Sequence, residues 1–224
     1  MKRHLRNQGL SLFFFALFVA ALVGQAIAGN AEFNEEAVTH GSETLSFWSY
    51  VVSPDFGQAV MENWQSEYLQ FTLFVFATVW FVQKGSPESK KLDEVGIGSD
   101  KEQLVGEYAR PDSPKWARAR GAKRFLYENS LLIVMASIWI GSWLAHSLTG
   151  WRAYNETQVE HGETTLSWLQ YLGSADFWES TLQNWQSEFL AVGSMAVLAI
   201  YLRQRGSPES KPVGVPNEST GVEA

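Results

Sequence analysis

The chain has 224 residues, no cysteine and a formal net charge of -7. Without cysteine it has no disulfide, no thiolate metal ligand and no thiol nucleophile. The acidic balance argues against nucleic-acid binding, which needs a concentrated basic surface. Aromatic residues make up 14 % of the chain and include ten tryptophans. Several of these stand at the ends of apolar runs, an arrangement typical of the aromatic belt at a membrane boundary.

One sequence pattern occurs twice, at a constant offset of 121 positions. Residues 2–90 align with residues 123–211 without a gap. Two blocks are identical in both copies: N-W-Q-S-E at 63–67 and 184–188, and G-S-P-E-S-K at 85–90 and 206–211. A repeat of this length predicts one fold for both copies. We therefore expect a first membrane repeat over 1–90, a cytoplasmic linker over 91–121, a second membrane repeat over 122–211 and a disordered tail over 212–224.

Four apolar stretches predict four membrane-spanning helices. Gly9–Ala28 and Ser130–Thr149 stand at equivalent positions and are each long enough to cross a hydrocarbon core of about 30 Å. The other two, Tyr68–Val82 and Phe189–Leu202, are shorter, so each must draw on the N-W-Q-S-E block before it to complete a crossing. The expected fold is all-α, with two parallel two-helix repeats and spans at about 9–28, 63–83, 130–149 and 184–203.

Capping signals predict where the second helix of each copy begins and ends. Ser53 is a good N-cap followed by Pro54 at the first helical position, and Ser174 repeats the signal without the proline. Gly85 and Gly206, each followed closely by a proline, are expected to end these helices.

Basic residues lie almost entirely on one side of the predicted spans. Three precede the first span, ten lie between Lys84 and Arg124, three follow the fourth span, and only Arg152 falls in the other two loops. Residues 29–67 hold seven acids and no base. The positive-inside rule then places both termini and the central loop in the cytoplasm and the acidic loops outside. Both copies therefore have the same orientation.

A secretory signal peptide is the alternative for the first span. Lys2, Arg3 and Arg6 precede its apolar core, and Ala26-Ile27-Ala28 resembles a cleavage site. The equivalent span at 130–149 is interior and cannot be a signal, which favours retention of the first span.

Small residues four apart form a ridge on both long apolar stretches and mark candidate helix contacts in a bilayer. They are Ala16, Ala20 and Gly24, with Ser137, Gly141 and Ala145 at the equivalent positions. The ridge could join the first and third spans, or pack the two spans of each copy. Gln25 and His146 stand at its outer end, where hydrogen bonding to each other or to backbone is expected.

The candidate polar site comes from the two N-W-Q-S-E blocks. Its members are Asn63, Gln65, Ser66, Glu67, Asn184, Gln186, Ser187 and Glu188. On a helix, Asn63, Ser66 and Glu67 share a face. Ionisable groups at membrane depth are candidates for a ligand, proton or ion site. Asn, Gln and Ser are equally ordinary contacts between spans, and Trp beside them is an ordinary interfacial anchor.

Two histidines, His40 and His161, are secondary candidates. With glutamates from both copies they could bind zinc, but each stands alone before a glycine, without a second ligand at metal spacing. His40 is also expected to end a short helix that begins at Asn34, with Gly41 as C-cap. The capping interpretation is favoured, and no metal, cofactor or enzymatic activity is expected.

Short aromatic stretches at 44–52 and 165–172 predict interfacial helices in the outer loops or, alternatively, re-entrant elements. The central loop is expected to be a flexible linker. It ends in a basic cluster expected to attract anionic lipid. That cluster consists of Lys115, Arg118, Arg120, Lys123 and Arg124.

The repeated pattern H-G, T-L-S, Y, S-x-D-F, N-W-Q-S-E and G-S-P-E-S-K resembles a family of small bacterial integral-membrane proteins known as a domain of unknown function. The match covers residues 5–90 and 126–211. The resemblance implies a multi-pass bacterial inner-membrane protein and supplies no activity. We expect a non-enzymatic structural or interaction protein of the lipid bilayer, with a second copy or another membrane protein as candidate partner. The alternative is a small proton or cation transporter or channel that uses Glu67 and Glu188.

Overall fold

The computed structural model describes residues 7–222. Within these residues the chain forms α-helices, turns and short 3-10 helices and no β-strand, which confirms the all-α class. The helices are α1 (Gly9–His40), α2 (Phe47–Val51), α3 (Pro54–Trp80), α4 (Ala122–Glu128), α5 (Ser130–Glu160), α6 (Trp168–Tyr171) and α7 (Ala175–Tyr201). Lys2, Arg3 and Arg6, which contribute to the predicted orientation, lie outside the described residues.

Helices α1 and α5 are long and apolar enough to cross a membrane. α1 has 32 residues and extends about 48 Å. It continues through Asn34, so the expectation of a separate short helix there is wrong: no proline interrupts the chain between the apolar stretch and His40. Gly41 does end the helix, with the predicted left-handed conformation at φ 72°. Gly162, 121 positions later, follows α5 with φ 70°.

Helices α3 and α7 begin where the capping signals predict. The Ser53 hydroxyl accepts from the Phe56 N–H at 3.3 Å, and the Ser174 hydroxyl accepts from the Phe177 N–H at 3.2 Å. Each bond satisfies one N–H that the first turn of a helix leaves unpaired.

The predicted ends of these helices are wrong, because α3 stops at Trp80 and α7 at Tyr201. Beyond each end the G-S-P-E-S-K block folds back as a turn. The Ser89 hydroxyl accepts from the Gln83 N–H at 2.8 Å, and the Ser210 hydroxyl accepts from the Gln204 N–H at 3.0 Å. Each serine hydroxyl thus accepts a hydrogen bond from a backbone N–H just beyond the end of the helix.

The lysine of each G-S-P-E-S-K block donates to backbone carbonyls. Lys90 Nζ donates to the carbonyl of Gly96. Lys211 Nζ, on a fully buried side chain, donates to Asn217 O at 2.8 Å, the position 121 residues after Gly96. It also donates to Gly85 O at 2.5 Å and Ser219 O at 3.3 Å.

The C-terminal segment is attached to the turn at Gly85. The Gly85 N–H donates to the Thr220 hydroxyl at 2.8 Å, and the Gly221 N–H donates to Ser86 O at 3.0 Å. The expected disordered tail is therefore wrong for residues 212–222. Local composition suggested disorder, whereas these bonds are made to a turn more than a hundred residues away in the chain.

The central loop contains two 3-10 helices, Gly106–Tyr108 and Lys115–Arg118. It is also tied to the start of α4, because Arg124 forms salt bridges with Asp100 and with Glu128. The loop thus has more defined structure than the expected flexible linker.

The chain divides into two compact units. The first contains the residues up to Met61 together with Ala145–Tyr171. The second contains Glu62–Leu144 and the residues from Leu172 onward.

The small residues four apart form the predicted ridge on α1 and α5. Five of its six residues are exposed, namely Ala16, Ala20, Gly24, Ser137 and Gly141, and Ala145 is half-buried. A Cβ added to Gly24 or Gly141 would meet no atom within 4 Å. The packing of this ridge against another helix stays a prediction. In the second unit, polar and aromatic side chains of α3 and α7 make close helix contacts.

Candidate functional site

The N-W-Q-S-E blocks bring α3 and α7 together in the second unit. The Asn184 side-chain amide donates to Glu62 Oε1 at 2.5 Å and to the Ser180 carbonyl at 3.0 Å. The Trp185 indole N–H donates to Gln65 Oε1 at 2.8 Å. Both contacts between the helices use side chains at or next to the identical blocks. The sequence placed Gln65 and Asn184 in the candidate polar site but did not identify Glu62 or Trp185 as their partners.

The two blocks have different environments despite their identical sequence. Gln65 and Ser66 are buried, whereas Gln186 and Ser187 are exposed. The two serines nevertheless make the same local bond: Ser66 donates to Asn63 O at 2.9 Å and Ser187 to Asn184 O at 2.8 Å. Each hydroxyl is thereby satisfied by its own helix, three residues back.

Glu67 lies on α3 and Glu188 on α7. Glu188 is half-buried, feels the negative charge of Glu67 and interacts with the Ser66 hydroxyl. Glu67 is exposed, as is Asn63. The salt bridges found among residues 7–222 involve neither glutamate. The charges of these two acids thus act on each other.

Gln65 is the most buried member of the predicted site. Its side-chain oxygen accepts from Trp185, but its amide nitrogen has no hydrogen-bond partner among the described residues. A buried polar atom in this state typically costs about 1–3 kcal/mol. The amide therefore retains donor capacity beyond the contact between the helices.

In the first unit, an asparagine of each long helix binds the loop that follows that helix. The Asn34 side chain donates to Leu45 O at 2.9 Å and accepts from the Leu45 N–H at 2.7 Å. Asn155 makes the same pair of bonds with Leu166, both at 2.8 Å. These bonds place the short helices α2 and α6, which lie within the predicted interfacial stretches. The matched positions of the asparagines in the two copies were the available sequence signal.

The tyrosine of each short helix packs against a glycine of a long helix. A Cβ on Gly29 would lie 2.2 Å from the Tyr50 hydroxyl oxygen, and a Cβ on Gly150 would lie 2.6 Å from that of Tyr171. Tyr171 also contacts the ring of Tyr154 at a centroid distance of 5.5 Å. Glycine is thus required here for close approach, which sequence reasoning missed.

The first unit also contains a group of acidic side chains around Asp55. Burial raises the pKa of the Asp55 carboxyl, its backbone hydrogen bond opposes this, and the charges of Glu160 and Glu36 raise it further.

An open groove of about 610 Å³ lies along α5 and the loop after it. It is lined by Trp151, Arg152, Asn155, Glu156, Val159, Glu160 and Thr165.

The secondary candidates lie in the first unit and do not form a metal centre among residues 7–222. His40 is exposed and its Nδ1 lies 3.0 Å from the Glu36 carbonyl, at the end of α1. His161 is exposed, Gln25 is half-buried and His146 is fully buried within α5. The position of His40 agrees with its predicted place at a helix end.

The described residues define an all-helical protein in which two helices are long and apolar enough to span a membrane. The chain belongs to the family of the domain of unknown function DUF6766, whose model matches residues 1–222. No curated protein and no solved structure matches the chain. The family assignment agrees with the resemblance seen in the sequence and brings no activity with it.

Proposed function

We propose that this protein is a four-pass protein of the bacterial inner membrane with a non-enzymatic structural or interaction role. Helices α1 and α5 supply two candidate spans. The apolar ends of α3 and α7 supply the other two, since they expose large side chains. Examples are Phe71, Phe76 and Trp80 on α3, and Leu190 and Leu198 on α7. Exposed apolar surface on this scale suits lipid better than water.

Matched contacts support a tandem duplication with both copies in one orientation. The same local bonds occur 121 positions apart at Asn34 and Asn155, and at Ser53 and Ser174. Two copies of a two-span unit, joined by a cytoplasmic linker, have the same direction through the membrane. The loop charges favour cytoplasmic termini.

The proposed non-enzymatic role depends on the hydrogen bonds that the side chains of the N-W-Q-S-E blocks make. Asn184 and Trp185 bond to side chains of the facing helix, while the two serines bond to their own backbone. Such bonds hold helices together, as polar groups commonly do between membrane spans. The partners we propose are lipid, a second copy of the chain or another membrane protein.

One observation favours a transporter or channel as the second candidate. The negative charge of Glu67 acts on Glu188, and neither carboxylate forms a salt bridge among the described residues. Two neighbouring carboxylates at membrane depth would favour a shared proton or a cation.

Proton and cation flux into liposomes distinguishes these functions. Liposomes containing the wild type are expected to show the flux of empty liposomes, and Glu67→Gln with Glu188→Gln is expected to change nothing. A control with Glu43→Gln and Glu163→Gln removes two exposed charges elsewhere in the outer loops. Flux above background that the first double variant abolishes and the control retains would contradict the structural role and establish transport.

A further inference from the structure

Two short helices pack against each other directly before α5. The 3-10 helix Lys115–Arg118 and α4 are joined by a contact between Trp116 and Tyr127, whose ring centroids are 6.4 Å apart. Ala117, between the cations of the 3-10 helix, is buried. The basic residues of this region are therefore carried on a folded surface.

The structure divides the five basic residues of this region into two groups. Arg124 is bound by Asp100 and Glu128, and Arg118 donates to the carbonyl of Arg110. Lys115, Arg120 and Lys123 are exposed, and no acid of the described chain forms a salt bridge with them. The predicted five-residue cluster is thus reduced to three cations available to a partner.

Exposed apolar side chains accompany these three cations. Trp116 is 51 % exposed, Phe125 63 % and Leu126 51 %. Cations together with tryptophan and large apolar residues are the composition of surfaces that lie at a lipid head-group boundary. We call Lys115, Trp116, Arg120, Lys123 and Phe125 the juxtamembrane patch.

We propose that the juxtamembrane patch binds the head groups of anionic phospholipids in the cytoplasmic leaflet. Lys115, Arg120 and Lys123 pair with lipid phosphates, while Trp116 and Phe125 enter the head-group layer. The proposal rests on the four-pass membrane function, since α5 must start at that leaflet. Charge complementarity selects the occupant: this leaflet is negative, and the patch carries three cations that form no salt bridge within residues 7–222.

Lipid titration of the full-length protein in neutral detergent micelles tests the proposal. The probes are phosphatidylglycerol and phosphatidylcholine with identical acyl chains, and the readout is the lipid-bound fraction by native mass spectrometry. We expect the wild type to prefer phosphatidylglycerol. Lys115→Gln with Arg120→Gln and Lys123→Gln should weaken its binding at least about tenfold, since each such charge contributes roughly fivefold.

Two control variants make the titration specific. Lys84→Gln with Lys91→Gln and Lys101→Gln removes three exposed lysines from elsewhere in the same unit, and should leave phosphatidylglycerol affinity within about twofold. Lys115→Arg with Lys123→Arg keeps the charges and should bind as the wild type does. Equal affinity for the two lipids overturns the proposal. So does an equal loss in the lysine control, or unchanged binding in the triple patch variant.

Failure of the patch and failure of the four-pass function give different results. If the patch variant binds lipid normally while the central loop is cytoplasmic, only the patch proposal is wrong. If labelling places the central loop outside, the proposed membrane topology is wrong as well.

Discussion

Replacing Gly150 with alanine is expected to lower the free energy of unfolding by about 1–3 kcal/mol, the usual cost of forcing an extra methyl group into a packed site. The new Cβ would lie 2.6 Å from the Tyr171 hydroxyl oxygen and 3.4 Å from the Gln58 side-chain carbon Cδ. Tyr171 is fully buried, so its ring has no solvent-filled space to move into. Thermal unfolding of the detergent-solubilised protein measures the effect, at roughly 2–4 °C per kcal/mol for a chain of this size.

Other glycines of the chain provide the control for this prediction. Gly193 lies within α7, and a Cβ there meets no atom within 4 Å. Gly193→Ala should therefore be neutral or slightly stabilising, because alanine favours the helix. Gly29 faces Tyr50, so Gly29→Ala should lower the unfolding temperature as Gly150→Ala does.

A double variant identifies the cause of the loss. Combined with Tyr171→Phe, which removes the clashing oxygen, Gly150→Ala should cost less than the sum of the two single changes. If Gly150→Ala unfolds at the same temperature as Gly193→Ala, the close approach of Tyr171 to α5 is contradicted.

Replacing Lys211 with methionine is expected to release the C-terminal segment and to destabilise the second unit by about 1–3 kcal/mol. The ammonium group donates to the carbonyls of Gly85, Asn217 and Ser219. Methionine is also long and unbranched but donates nothing, so these acceptors lose their partner. Amide hydrogen exchange should increase most around Thr220, whose hydroxyl accepts from the Gly85 N–H.

Two other lysines calibrate the result. Lys90 is half-buried and its Nζ donates to the Gly96 carbonyl alone among the contacts found, so Lys90→Met should have a smaller effect. Lys101 is exposed, and Lys101→Met should leave exchange in the tail unchanged. Tail protection that survives Lys211→Met would show that the carbonyl contacts of this lysine do not hold the segment.

Local signals in the sequence predicted the helix starts well. Ser53 and Ser174 cap α3 and α7, and Gly41 ends α1, because capping depends on a few neighbouring atoms. The helix ends at Trp80 and Tyr201 were missed because they depend on return turns made by later residues. The attachment of residues 212–222 to Gly85 was missed for the same reason.

The candidate site was predicted in composition but not in geometry. The identical N-W-Q-S-E blocks indicated a polar contact, yet only the packed helices show that Trp185 bonds to Gln65 and Asn184 to Glu62. Spacing along one helix defines its faces and does not define which face meets a neighbour. The basic cluster shows the same limit, since Arg124 is paired with Asp100, which lies 24 residues earlier in the chain.

Cysteine labelling of intact cells tests the central claim of a four-pass protein with two copies in one orientation. The chain has no cysteine, so single substitutions at exposed Glu43, Asp112 and Glu163 give an unambiguous label. A membrane-impermeant maleimide is expected to label positions 43 and 163 in intact cells, and position 112 only after the membrane is permeabilised. Labelling of 43 and 163 from opposite sides, or of 112 from the same side as 43, would contradict the account.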